Sequence, residues 1–216
     1  MTEIDTLSNK APKTEEQLKA YFIDDCGWKK WDVQSSRVFR FLYDALTFTK
    51  PTDVVVDVGA GQSRYRPFFE HARYIAVDFA KADSEWDYSQ LDAICDAQLI
   101  PLKSEAANVV VNTVTLEHIP NPQRCVSEMA RILKPGGRLY MYAPMASSEH
   151  QIPYDFFRYT RYGIQHLCET AGLNILSIAP SNGRFYTGMK VARHSLQSVK
   201  HRWGNIFLRH LFDWVL

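Results

Sequence analysis

Asp53-Val-Val-Val-Asp57-Val-Gly59-Ala-Gly61-Gln-Ser-Arg64 is the stretch whose reading decides how this chain of 216 residues folds. Its β-branched centre reads as a strand buried on both faces, the kind found inside a parallel sheet. The strand ends in Asp-x-Gly-x-Gly, where two glycines let the backbone turn tightly and approach a ligand closely. A second apolar run, Tyr74-Ile-Ala-Val77, stops on Asp78. An acidic residue that ends the next strand, roughly 20 residues on, is placed to accept hydrogen bonds from ribose hydroxyls. Together the two runs predict an α/β fold, a three-layer doubly wound and mostly parallel sheet, that binds a nucleoside-containing cofactor.

The motif departs from the dinucleotide fingerprint. That fingerprint places a third glycine three positions after the second, so that a helix N-terminus receives a pyrophosphate. Arg64 occupies the position here, between Ser63 and Tyr65. Such a bulky start suits a cofactor with no pyrophosphate to seat, and Asp57 inside the motif suits a cationic ligand. A nicotinamide enzyme is therefore disfavoured.

Size and composition bound the rest. With 46% hydrophobic and 23% charged residues, the chain is one ordinary domain with a sizeable core. A net charge of +1 argues against nucleic acid as the main partner. Cys26, Cys95, Cys125 and Cys168 are scattered, without CxxC or histidine at ligand spacing. They read as reduced core thiols in a cytoplasmic protein, and no metal is expected. The polar N-terminus reads as no signal peptide, and no run is long enough to span a bilayer.

Along the chain, residues 1–13 read as a tail. Thr14-Glu-Glu-Gln17 is a capping box opening a short helix to about Phe22. A longer amphipathic helix runs from about Ser36 to Phe48, and Lys50-Pro51 ends it. A helix is expected near Arg64. After a third strand come Asp96-Ala97 and a loop to Pro101. Asn108-Val-Val-Val-Asn112 is the fourth strand, and ligands bind outside the ends of such strands. Asn112, Thr113, Glu117 and His118 are therefore candidates for the pocket wall. Helix Pro122–Leu133 precedes the turn Lys134-Pro-Gly-Gly137 and a fifth strand, Arg138 to Ala143, with a sixth expected over Leu173–Ala179.

The phrase Glu128-Met-Ala-Arg-Ile-Leu-Lys-Pro-Gly-Gly-Arg-Leu139, with the ordered motifs before it, resembles the class I S-adenosylmethionine-dependent methyltransferases of the type 11 kind. The resemblance implies S-adenosyl-L-methionine as cofactor, with N-terminal helices (1–50) capping a core (51–183). Asp57, Gly59, Ala60, Gly61 and Asp78 would bind it. Phe79 would pack on the adenine, whose amine and ring nitrogen would meet Asp96 and the backbone of Ala97. Asn112, Thr113 and Glu117 would line the methionine side, where Asp57 and Glu117 counter the cationic ammonium and sulfonium.

Between Pro144 and the next helix, Asp155-Phe-Phe-Arg-Tyr-Thr160 followed by Gly163-Ile-x-x-Leu-x-x-x-Ala-Gly172 resembles methyltransferases of polysaccharide and lipid-linked sugar biosynthesis. Tyr154, Asp155, Arg158 and Tyr159 are the acceptor-side candidates, although Asp155 and Arg158 could equally form a structural ion pair. Methylation of a hydroxyl or amine on a small-molecule or glycan-type acceptor follows. His118 and His150 are the catalytic candidates for removing an acceptor proton, and a structural role is the alternative for each. A degenerate cofactor-binding regulatory protein is the rival reading, favoured by Ser63, Arg64 and the missing seventh strand.

Residues 184–216 carry six Lys/Arg and one Asp, +5 against −4 for the remainder. Their basic amphipathic pattern, with Trp203 and Trp214, reads either as a peripheral membrane contact or as helices packing on the domain or a second copy.

Overall fold

A computed structural model describes residues 13–24, 33–81, 85–183, 185–189 and 191–192. Helices α1 (Glu15–Asp24) and α2 (Val33–Phe48) lead into strand β1 (Val54–Val58). Strands β2 (Arg73–Asp78), β3 (Ala93–Ile94) and β4 (Ala107–Thr113) follow. Helix α3 (Pro122–Ile132), strand β5 (Leu133–Tyr142) and helix α4 (Arg161–Thr170) come next, with 3-10 turns at Arg66–Phe68 and Leu116–His118. The sheet order is β3-β2-β1-β4-β5 and every pairing is parallel. It is the doubly wound, Rossmann-like arrangement expected, in which the strand order reverses at β1.

Alternation along the strands divides the core in two. Val55, Ala76, Val109 and Val111 face Leu18, Phe22, Val38, Leu42, Phe68 and Phe69. On the other face Val56, Val58, Val77 and Val110 meet Cys125, Val126, Met129, Ile132 and Leu167. β1 is thus sandwiched between two apolar layers, which is why its run of valines needs no polar side.

Local chemistry sets the helix ends. The Thr14 hydroxyl accepts from the Gln17 N–H at 3.2 Å while the Gln17 amide oxygen accepts from the Thr14 N–H at 2.9 Å. That is a reciprocal capping box. Asn121 caps α3 by accepting from the Arg124 N–H, with Pro122 in the first turn. Thr160 caps α4 by accepting from the Gly163 N–H at 3.1 Å.

Two elements differ from expectation. No helix follows Gly61: the chain makes turns, then a 3-10 turn at Arg66–Phe68. Ser63 has a left-handed φ of 55°, and its hydroxyl donates to the Gln90 carbonyl, so the segment is held by side-chain bonds and by burial of Phe68 and Phe69. Leu173–Ala179 forms no strand. Leu173 and Ile175 pack against the core, but Leu176 is 76% exposed, and the apolar contact is made without a backbone ladder. The Lys134–Gly137 turn is absorbed into β5 as an irregularity between Ala107↔Leu133 and Val109↔Arg138. The basic segment 184–216 lies almost wholly outside the described residues, as do Cys26 and the tail. No helix among the described residues is long and apolar enough to cross a membrane.

Candidate active site

A cleft of about 640 Å³ opens at the C-terminal ends of β1, β2, β3 and β4, within the size range of cofactor sites. Sheet order gives it direction: the residues after β3 and β2 border one side, the glycine turn after β1 the floor, and the residues after β4 the other side.

The floor is shaped by close approach. The N–H groups of Gly59 and Ala60 both donate to the Val77 carbonyl, at 2.9 and 3.1 Å. Gly59 has φ +80°, and a Cβ there would lie 2.2 Å from the Thr115 side chain. Gly61 has φ +53°, and its Cβ would meet the Trp86 ring at 2.9 Å. Glycine is required at both positions for conformation and for space. Asp78, on the cleft wall, accepts from the Gly61 N–H at 2.9 Å and the Ala80 N–H at 2.7 Å, one on each oxygen. Each oxygen retains a further lone pair for a ligand hydroxyl.

Toward β3 the wall contains Phe79, Asp96, Ala97 and Gln98. Phe79 is 42% exposed and meets Tyr154 edge to face at 6.0 Å. The Asp96 carboxylate accepts from the Gln98 backbone N–H at 2.8 Å and from its side-chain amide. Ala97 and Thr113 also border the cleft.

Three residues assigned to the pocket from sequence stand behind its wall. Asp57 is buried and accepts a short hydrogen bond from the Tyr74 hydroxyl. Burial pushes its carboxyl up to about 7, with the nearby Asp78 adding to the rise and Tyr74 and Arg66 opposing it. Asn112 is fully buried and donates to the Val58 carbonyl at 2.8 Å. Glu117 is fully buried and neither carboxylate oxygen has a hydrogen-bond partner among the described residues. Desolvation raises its carboxyl to about 7 as well.

On the acceptor side, His118, His150 and Tyr154 border the cleft. The imidazole rings of His118 and His150 meet edge to face at 4.7 Å. His118 Nδ1 is 2.5 Å from the Tyr154 carbonyl. His150 Nδ1 is 3.0 Å from the Ser148 carbonyl. A carbonyl only accepts, so both rings carry hydrogen on Nδ1 and each neutral ring keeps its lone pair on Nε2. Burial pushes the His118 imidazole below its usual range, with His150 adding to that.

Asp155, Arg158 and Tyr159 have structural partners. Arg158 grips Asp155 through two bonds of 2.6 and 2.9 Å and donates to the Ser147 and Ser148 carbonyls. Asp155 also accepts from the His150 N–H at 2.9 Å. Arg158 beside it holds the Asp155 carboxyl well below the usual carboxylate range. The Tyr159 hydroxyl donates to the Leu116 carbonyl at 2.9 Å and is buried. The loop is stitched to the β4 exit by the N–H groups of Phe156 and Phe157, which both donate to the Glu117 carbonyl.

Sequence reading passed over Trp86, Gln98 and Phe156, all on the cleft wall. Only Trp86, a large aromatic in a polar segment, carried a local signal; the others are set by tertiary packing. Because the chain forms no α-helix at the glycine turn, no helix N-terminus stands there for a pyrophosphate. The acceptor groups of Asp78 and Asp96 suit a nucleoside's hydroxyls and amine.

Comparison with known proteins agrees with this geometry. Residues 56–141 match the family model described as a methyltransferase domain. The human protein named probable tRNA methyltransferase 9B is 27% identical over 128 residues, 57% of this chain and 26% of that one. Malonyl-[acyl-carrier protein] O-methyltransferase of Hahella chejuensis is 27% identical over 99 residues, 41% of this chain and 35% of that protein. The chain thus spans about a quarter to a third of the length of these relatives. Among solved structures, the [4+2]-cyclase SpnF matches with a TM-score of 0.57 at 17% identity, over 88% of this chain and 84% of that one, a likeness of fold alone. Over residues 56–141 the chain is similar to methyltransferase domains, and the cofactor that this similarity implies for the cleft is S-adenosylmethionine.

Proposed function

We propose that this protein transfers a methyl group from S-adenosylmethionine to a hydroxyl of a small-molecule or glycan-type acceptor. The observation that carries the reading is one continuous cleft that joins Asp78 and Asp96 on one side to His118 and His150 on the other. When bound, the cofactor supplies an activated methyl group on a sulfonium centre. Asp78 would hold the ribose hydroxyls, Phe79 and Ala97 would flank the adenine, and Asp96 would accept from its amine. Gly59, Ala60 and Gly61 leave the floor free of side chains. Asp57 and Asn112 would act from beneath, Asp57 by the Tyr74 bond and Asn112 by its bond to the end of β1.

The residues after β4 and the 149–160 loop restrict how an acceptor enters, so the main contribution of the protein is alignment. A hydroxyl acceptor must also lose a proton, and the Nε2 lone pairs of His118 and His150 are the groups disposed to deal with it. Transfer to oxygen is supported by the naming of the Hahella relative as an O-methyltransferase. A glycan-type acceptor is supported by the resemblance of Asp155–Thr160.

Calorimetry tests the cofactor half. S-adenosylmethionine and S-adenosylhomocysteine should bind with one site and NAD should not; binding of NAD alone overturns the reading. Incubation of the protein with methyl-labelled cofactor and a panel of polyhydroxylated acceptors tests the transfer half. Cofactor binding with no labelled product from any acceptor favours the regulatory alternative. Asp78→Ala should weaken S-adenosylhomocysteine by roughly 1.5–3 kcal/mol, the range for a hydrogen bond to a charged group. Unchanged binding in a folded variant removes Asp78 from the site.

A further inference from the structure

Glu117, His118 and His150 converge. Each offers one ligand atom, and the three lie within 4.8 Å of one another. His118 Nε2 and His150 Nε2 are each 3.8 Å from Glu117 Oε1. That separation is too long for a hydrogen bond. It lies close to the spacing of neighbouring ligands around one ion, since metal–ligand bonds of about 2.0–2.2 Å put such atoms about 3–3.5 Å apart.

Three independent features point the same way. Glu117 is fully buried with both oxygens unpartnered among the described residues, a costly arrangement unless something charged meets them. His118 Nε2 is also buried without a hydrogen-bond partner among the described residues. Both imidazoles are oriented by Nδ1 bonds to backbone carbonyls, the arrangement that commonly fixes a metal-ligating histidine with its other nitrogen outward. The surrounding backbone is braced, because the loop bearing His150 is bonded to the Glu117 carbonyl through Phe156 and Phe157.

We propose that Glu117, His118 and His150 form a binding site for a divalent metal ion of the zinc class. Two imidazoles and one carboxylate suit Zn²⁺, Fe²⁺ or Co²⁺ better than Mg²⁺, which favours oxygen ligands. Three protein ligands leave coordination positions open, and both histidines border the cleft.

The role of the ion in catalysis rests on the methyl-transfer reading. An acceptor hydroxyl coordinated there loses its proton to water more readily. Its oxygen then forms the bond to the methyl carbon, the carbon–sulfur bond breaks, and that electron pair stays on sulfur. The ion is unchanged in charge. With the ion bound, the Nε2 lone pairs are committed to it, so the histidines act as ligands that orient the acceptor and give up the proton-accepting role open to them without the ion.

The full chain, stripped with chelator and dialysed, is titrated calorimetrically with Zn²⁺ and, separately, with Mg²⁺. One equivalent of Zn²⁺ should bind, at least tenfold more tightly than Mg²⁺. Co²⁺ should give a visible absorption band that Zn²⁺ abolishes. His150→Ala, on a surface loop, should weaken Zn²⁺ at least tenfold while its metal-free melting curve shows a folded protein. Glu117→Gln should do the same. Absence of stoichiometric Zn²⁺ binding, or equal binding by folded His150→Ala, overturns the site. S-adenosylhomocysteine binding is measured on the same sample. If it binds and Zn²⁺ does not, the metal proposal fails alone. If Zn²⁺ binds and the cofactor does not, the site stands and its catalytic role falls.

Discussion

Gly59→Ala should destabilise the protein by about 3 kcal/mol and reduce S-adenosylhomocysteine affinity at least a hundredfold. Two effects add. The backbone has φ +80°, a left-handed conformation that costs an L-residue about 1–2 kcal/mol. The added Cβ would also stand 2.6 Å from Thr115 Cβ, an atom close to the main chain that cannot swing aside. Overpacking of this kind costs about 1–3 kcal/mol. Relief must come from moving the turn or the β4 exit, and both border the cleft. Gly136→Ala is the control: its φ is +77° with nothing among the described residues within 4 Å of the new Cβ, so it should show the conformational cost alone and leave ligand binding intact. Thr115→Gly placed on Gly59→Ala should recover part of the loss. Denaturant melts and calorimetry of the three variants decide the matter, and a Gly59→Ala protein with ordinary cofactor affinity would show that the floor adapts.

Asp57→Asn should raise stability above pH 7 and change its pH dependence below it. Burial lifts the Asp57 carboxyl from 3.8 to about 7, so between these values the folded protein holds a proton that the unfolded chain releases. The contribution of the neutral carboxyl is fully present below pH 3.8 and is lost as pH rises to about 7, after which it is constant. Across the window the loss is about 4 kcal/mol as an order of magnitude, at about 1.4 kcal/mol per unit. Asparagine does not titrate, and its amide oxygen can still accept from Tyr74. The variant should therefore lack this decline and melt higher than wild type at pH 8. Glu117 shifts in the same direction, so a shallower decline should persist. Thermal melts at pH 4, 6 and 8 measure the difference. Identical slopes for the two proteins would mean that Asp57 is charged when folded.

The parts of this fold legible beforehand are those encoded locally. The valines of β1 announce burial on both faces, and Thr14 with Gln17 and Thr160 with Gly163 are caps whose partners lie three residues away. What escaped depends on contacts distant in sequence. The helix expected at Arg64 does not form because Ser63 takes a left-handed turn and bonds to Gln90. Leu173 and Ile175 reach the core without a ladder, which an alternating pattern cannot distinguish from a strand. In the site, the turn after β1 and the end of β2 are local signals. The meeting of Glu117 and His118 with His150 is a product of loop packing, and no spacing of residues along the chain announces it.

The 149–160 loop combines fixed ends with a variable middle. Asp155 and Arg158 clamp it, Phe156 and Phe157 hang it from the Glu117 carbonyl, and Tyr159 ties it to Leu116. Its exposed tip, Ile152 and Pro153, bears none of these anchoring bonds. Such a layout separates two evolutionary demands. Side chains at the tip can be exchanged while the anchors and the glycine floor inherit no strain from the change. The tip can therefore vary among descendants of this chain faster than the floor of the cleft.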